Sequence, residues 1–74
     1  MDIKQKLDML IEYERIDAPT DKKQRVAWSM YIAQKIVNFL GARELTLTYN
    51  YPLESLQDMR KPNVISMVAA KLMC

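Results

Sequence analysis

The sequence predicts a mainly α-helical single domain of three to four helices, with one short β segment at about residues 45–51 that pairs across a homodimer. Three observations predict it. Apolar residues recur at helical spacing over most of the chain. Leu45, Leu47, Tyr49 and Tyr51 instead alternate with Thr46, Thr48 and Asn50, the period of a half-buried strand. A chain of 74 residues also buries only about 60% of its unfolded surface, and one cysteine with no histidine cannot staple it. Cover from a second chain would serve both the small core and the unpaired strand edge.

Residues 2–17 read as the first helix. Ile3, Leu7, Leu10 and Ile11 share one face, and Glu12, Glu14 and Arg15 keep the others wet. Asp17-Ala18-Pro19-Thr20 ends it, because the residue before a proline avoids the helical region. Thr20 or Asp21 is placed to cap the next helix. Residues 21–40 read as that second helix, about 30 Å long, with Gly41 at its left-handed cap. Its main apolar face is Val26, Met30, Ala33, Val37 and Leu40. A second stripe, Trp28, Ile32 and Phe39, is joined to it by Ile36, so the arc spans roughly 200° and calls for cover on two sides.

Residues 42–44 link to the strand, which Pro52 ends, and a proline suits the first position of a helix. Leu53, Leu56 and Met59 repeat every three residues and predict one or two short helical turns, stopped by Pro62. Asn63 is set to cap a last helix over 64–73 that turns Val64, Ile65, Val68 and Leu72 inward. An all-α fold, with 45–51 as an extended connector, is the alternative architecture.

Composition narrows the function. Half the residues are hydrophobic and 27% are charged, which is globular rather than disordered. The longest apolar run, residues 67–70, is far short of the ~20 residues that cross a bilayer, and the N-terminus has no apolar signal core. A cytoplasmic protein with no membrane partner is expected, and the lone cysteine and six methionines fit a reducing compartment. The lack of histidine excludes His-based triads, its lack together with a single thiol excludes a structural zinc site, and a single glycine excludes a glycine-rich phosphate loop. Ser29, Ser55 and Ser66 have no base nearby in sequence, and Cys74 is the last residue. Glu12 and Glu14 point to different faces, and Glu54 and Asp58 fit a solvated one. No enzyme, cofactor or metal is expected.

Charge is uneven around a net +2. Residues 1–20 hold three basic and five acidic side chains, residues 21–43 five and one, and residues 44–74 three of each. Lys22, Lys23 and Arg25 open the second helix, where cations oppose the macrodipole. A nucleic-acid phosphate would turn that opposition into attraction. A solvated end that answers the acidic first helix is the plainer reading.

From residue 45, the order strand, short helix, capped helix resembles ribbon–helix–helix proteins, whose paired strands enter the major groove. The resemblance implies Thr46, Thr48 and Asn50 as base-reading positions. It covers about 30 of the 74 residues; the first helix is short, no basic residue lies between Arg43 and Arg60, and a 44-residue helical segment comes first.

The function expected is a non-enzymatic protein–protein interaction module, a regulator, inhibitor or adaptor, acting as a homodimer and binding a larger protein. Its interface is Trp28, Ile32, Phe39, Leu45, Leu47, Tyr49 and Tyr51. On this facing Leu47 lies in a buried seam and Thr48 outside it. The alternative is a dimeric DNA-binding transcriptional regulator that uses Lys22, Lys23 and Arg25, or Thr46, Thr48 and Asn50.

Overall fold

Helical spacing closes into four α-helices and one 3₁₀ turn in the computed structural model, which describes residues 1–58 and 60–74. These are α1 (Ile3–Arg15), α2 (Lys22–Leu40), α3 (Ala42–Thr48), the 3₁₀ turn (Leu53–Leu56) and α4 (Val64–Met73). The described residues contain no strand, so the all-α alternative is the observed class. The helices expected over 2–17, 21–40 and 64–73 are all present. Leu53 and Leu56 lie in the 3₁₀ turn, and Met59 falls outside the described residues.

Side-chain caps set where the three long helices begin. Asp2 accepts from the Gln5 N–H at 2.9 Å while Gln5 Oε1 accepts from the Asp2 N–H at 3.2 Å. Asp21, rather than Thr20, caps α2 by accepting from the Gln24 N–H at 3.1 Å. Asn63 Oδ1 accepts from the N–H groups of Ile65 and Ser66, and Ser66 Oγ accepts from the Asn63 N–H in return. Asn63 Nδ2 also donates to the Ser55 carbonyl at 3.1 Å, which ties the start of α4 to the 3₁₀ turn. Each cap contributes about 1 kcal/mol.

α4 is the most apolar helix, and α2 packs against it more extensively than any other pair of elements does. α2 presents buried Ser29 and Ala33 one turn apart. Small side chains at a crossing lower the helix surface and let a neighbour come close. Val64, Val68, Ala69 and Leu72 of α4 join Ala33, Ile36 and Val37 of α2 in the core, and Leu7, Ile11 and Leu45 complete it. The molecule measures 33 × 32 × 17 Å, so its thin dimension fits two layers of helices. A slab this flat has much surface for its volume.

Residues 45–51 form neither a strand nor an extended connector. Ala42, Leu45, Thr46 and Tyr49 recur at i, i+3, i+4 and i+7, which is a helical stripe. That stripe is the one covered: Leu45 and Thr46 are buried, Ala42 and Tyr49 half-buried, and Leu47 is 58% exposed. Thr46 decides between the two periods. Its hydroxyl donates to the Ala42 carbonyl at 2.7 Å, so its polar group is satisfied within the helix and the side chain can be buried. Asn50 takes φ 62°, and the N–H groups of Tyr51 and Asn50 reach back to the carbonyls of Thr46 and Leu47 at 2.9 and 3.2 Å. This is a Schellman closure with asparagine at the left-handed position. At the other end Gly41, at φ 103°, donates to the Val37 carbonyl and accepts from the Leu45 N–H, so one residue ends α2 and starts α3.

A lone strand would have left its N–H and C=O groups unpaired, and a helix pairs them locally. With no strand there is no strand pairing across a dimer and no β-ribbon, so the ribbon–helix–helix plan is not the fold. Thr46, Thr48 and Asn50 share no face, being buried, half-buried and exposed.

Mutation separates the two facings. Leu45→Ala should lower the unfolding free energy by about 2–5 kcal/mol. Leu47→Ala should lower it by no more than about 0.5 kcal/mol. Urea denaturation followed by circular dichroism checks both; equal losses would mean that α3 faces otherwise.

Candidate protein-interaction surface

α2 is covered only along the middle of its apolar arc. Ser29, Ala33, Ile36 and Val37 are buried. On one flank Val26 and Met30, expected in the core, are exposed. On the other flank Trp28 and Ile32 are half-buried and Phe39 is 79% exposed. α1 has a similar uncovered edge. Met9, Tyr13 and Ile16 stand at i, i+4 and i+7, and all three are exposed.

Where α1 and α2 adjoin, Leu10, Ile32, Ile36 and Phe39 line an apolar groove of about 380 Å³. Glu14 of α1 and Lys35 of α2 also line it. Neither takes part in an ion pair among the described residues, where the one pair is Arg60–Asp58 at 3.3 Å. The Lys35 ammonium lies 5.1 Å from the centre of the Tyr31 ring. A second concavity, of about 630 Å³, is lined by Ile11 and Ile16 and by four charged residues, Asp8, Glu12, Arg15 and Arg25. No ion pair among the described residues joins α1 to α2, so the acidic first helix does not answer the basic second one by direct contact.

The seven interface candidates do not form one surface. Ile32 and Phe39 meet in the groove. Leu45 is sealed in the core, Tyr49 and Tyr51 pack half-buried against it, and Leu47 is exposed. Trp28 also packs against the core, with the Arg25 guanidinium 5.7 Å from the centre of its ring. The basic trio is likewise divided. Lys22 and Lys23 are exposed. Arg25 turns inward: its Nε and Nη2 donate to the Leu72 carbonyl at 3.3 and 3.0 Å, and its Nη1 donates to the Pro19 carbonyl at 3.5 Å. It therefore serves the C-terminal end of α4.

Sequence reasoning missed the groove's Glu14 and Lys35 and the exposed stripe of Met9, Tyr13 and Ile16. The spacing of four and three along α1 carried the signal for that stripe, beneath the polar residues Glu12, Glu14 and Arg15. Nothing local to either helix marked Glu14 and Lys35 as walls of one groove.

The nucleophile candidates have structural partners or none. Ser29 Oγ donates to the Val26 carbonyl, and Ser66 belongs to the cap of α4. Ser55 Oγ is buried with no hydrogen-bond partner among the described residues. Cys74 is exposed, with its thiol donating to the Ala70 carbonyl. The described residues hold no group of three or more His, Cys, Asp or Glu that could bind a metal ion, and no helix long and apolar enough to cross a membrane. The phenol of Tyr49 is pushed above the usual range, first by burial and then by the negative charges of Asp8 and Asp2.

Comparison of the chain with protein-family models, with curated proteins and with solved structures gives no match.

Two outcomes are expected from this arrangement. Arg25→Ala should lower stability by about 1–2 kcal/mol, because a charged donor pair is lost from a partly buried carbonyl. Lys22→Ala and Lys23→Ala should each change it by less than about 0.5 kcal/mol; thermal and chemical unfolding measure all three. For Tyr49 the folded state holds the phenol proton more tightly than the unfolded state does. Its contribution is therefore complete below the unfolded value near 10 and is lost as pH rises through the folded one. The stability difference between wild type and Tyr49→Phe should be flat from pH 7 to 9 and should shift against wild type above about pH 10.

Proposed function

We propose that the protein is a small non-enzymatic protein–protein interaction module, a regulator, inhibitor or adaptor, that acts as a homodimer. The observation that carries this reading is Phe39, 79% exposed at the edge of an apolar groove built from two helices. Isolated exposed apolar residues are ordinary, but an aromatic beside a contiguous apolar depression is how interface anchors are built. The size of the chain supports the same reading. Seventy-four residues without cross-links gain more from intersubunit burial than a larger domain would. The further exposed residues Met9 and Tyr13 on α1 and Ile16 at its C-cap leave surface for a larger protein partner.

A DNA-binding regulator is the other class considered. Lys22 and Lys23 remain exposed for it, but Arg25 is engaged by Leu72 and the ribbon positions are dispersed, so no specific observation favours it.

Absolute molar mass by light scattering behind a sizing column, over at least a tenfold range of concentration, tests the proposal. The expected result is a mass near twice 8.7 kDa that falls towards 8.7 kDa on dilution. A mass of 8.7 kDa at every concentration would remove the homodimer. Added duplex DNA should leave the mass unchanged, and a salt-sensitive increase would move the protein to the nucleic-acid class.

A further inference from the structure

We propose that the groove between α1 and α2 is itself the homodimer seam, in which a two-fold axis along the groove lays α1 of each copy over α2 of the other. This rests on the homodimer reading above and specifies its surface. An isologous interface must be self-complementary, since the same patch meets itself. The groove meets that condition in its apolar lining and in charge. Its lining is apolar, with Leu10 on the α1 wall and Ile32, Ile36 and Phe39 on the α2 wall. Its two charged residues have opposite signs and lie on opposite walls, Glu14 on α1 and Lys35 on α2. Rotation about an axis along the groove exchanges the walls. Each Glu14 then faces Lys35 of the second copy, and each Phe39 faces the α1 wall that carries Leu10. Two ion pairs flank one apolar seam.

The opposite signs of the charges on the two walls favour a second copy over a foreign protein. Glu14 and Lys35 have no ion-pair partner among the described residues. A foreign surface would have to supply a cation and an anion at matching places, whereas a second copy supplies both by symmetry. Closure by a two-fold axis also consumes the patch on both chains, so assembly stops at two. Rim charges of this kind fix orientation and register, and the aromatic supplies most of the affinity. The larger, charged concavity makes a poorer seam, because its Arg25 is already committed to the Leu72 carbonyl.

Charge exchange tests the seam. Glu14→Lys and Lys35→Glu, each alone, should weaken dimerisation by about tenfold, since each places like charges together twice. An equimolar mixture of the two single variants should recover wild-type affinity, because every facing pair is then of opposite sign. The double variant should recover it too. Phe39→Asp should abolish dimerisation, while its far-UV circular dichroism stays unchanged because the side chain lies outside the core. Sedimentation equilibrium gives each dissociation constant. Single variants that weaken with no recovery in the mixture would overturn the facing of these residues. Wild-type affinity in all variants, Phe39→Asp included, would overturn the seam and leave the homodimer itself standing. A monomeric wild type would overturn both.

Discussion

The contact between α2 and α4 is the constraint around which the rest of the chain is arranged. It joins segments far apart in sequence, and one residue marks how it is fixed. Arg25, in the first turns of α2, donates to the carbonyl of Leu72, 47 residues later at the end of α4. The start of α2 therefore lies beside the end of α4, and the two helices run antiparallel. This resolves an electrostatic oddity. A cation near a helix N-terminus opposes that helix's dipole, but Arg25 is also at the C-terminus of a neighbour, where a cation is stabilising. Its guanidinium also lies over the Trp28 ring, so the same residue packs and caps.

Much of the uncovered surface is a result of that pairing. α2 gives its small and aliphatic middle, Ser29, Ala33, Ile36 and Val37, to the core. α1 and α3 pack on what remains, and neither edge of the wide arc on α2 is fully covered. In a slab 17 Å thick, the described residues form no further layer to cover them. Exposure of Val26 and Met30 on one side and Phe39 on the other is thus a consequence of geometry acting on a helix that is apolar over more than half its circumference.

What is legible in the sequence is local. Apolar spacing and the caps at Asp21 and Asn63 locate the long helices, because those signals act within one turn. The segment 45–51 turns on a single residue. Thr46 counts as the wet member of a two-residue period, yet a threonine that donates to the i−4 carbonyl loses its need for water. With Thr46 counted as buried, the helical stripe from Ala42 to Tyr49 becomes the better match, and Asn50 becomes a left-handed cap rather than a polar strand position. The site is half legible. Ile32 and Phe39 stand out because they lie beyond the arc that one core uses. Arg25 looks like a solvent-facing cation because its partner is 47 residues away, and no local pattern carries that distance.

The difference between leftover apolar surface and a candidate interaction patch lies in how the residues are grouped. Leu47 is exposed on a short helix, and Val26 and Met30 stand one turn apart on one helix and line neither of the two concavities described above. Exposure of that kind is common on small proteins and implies no ligand. Leu10, Ile32, Ile36 and Phe39 come instead from two helices and enclose a depression flanked by unlike charges with no ion-pair partner among the described residues. Burying that depression removes apolar area from water and gives Glu14 and Lys35 partners in one step, so its elements gain together from a single occupant. In the proposed homodimer, marginal folding and recognition draw on the same surface: the edges that a 74-residue core leaves uncovered are the edges that a second chain would cover.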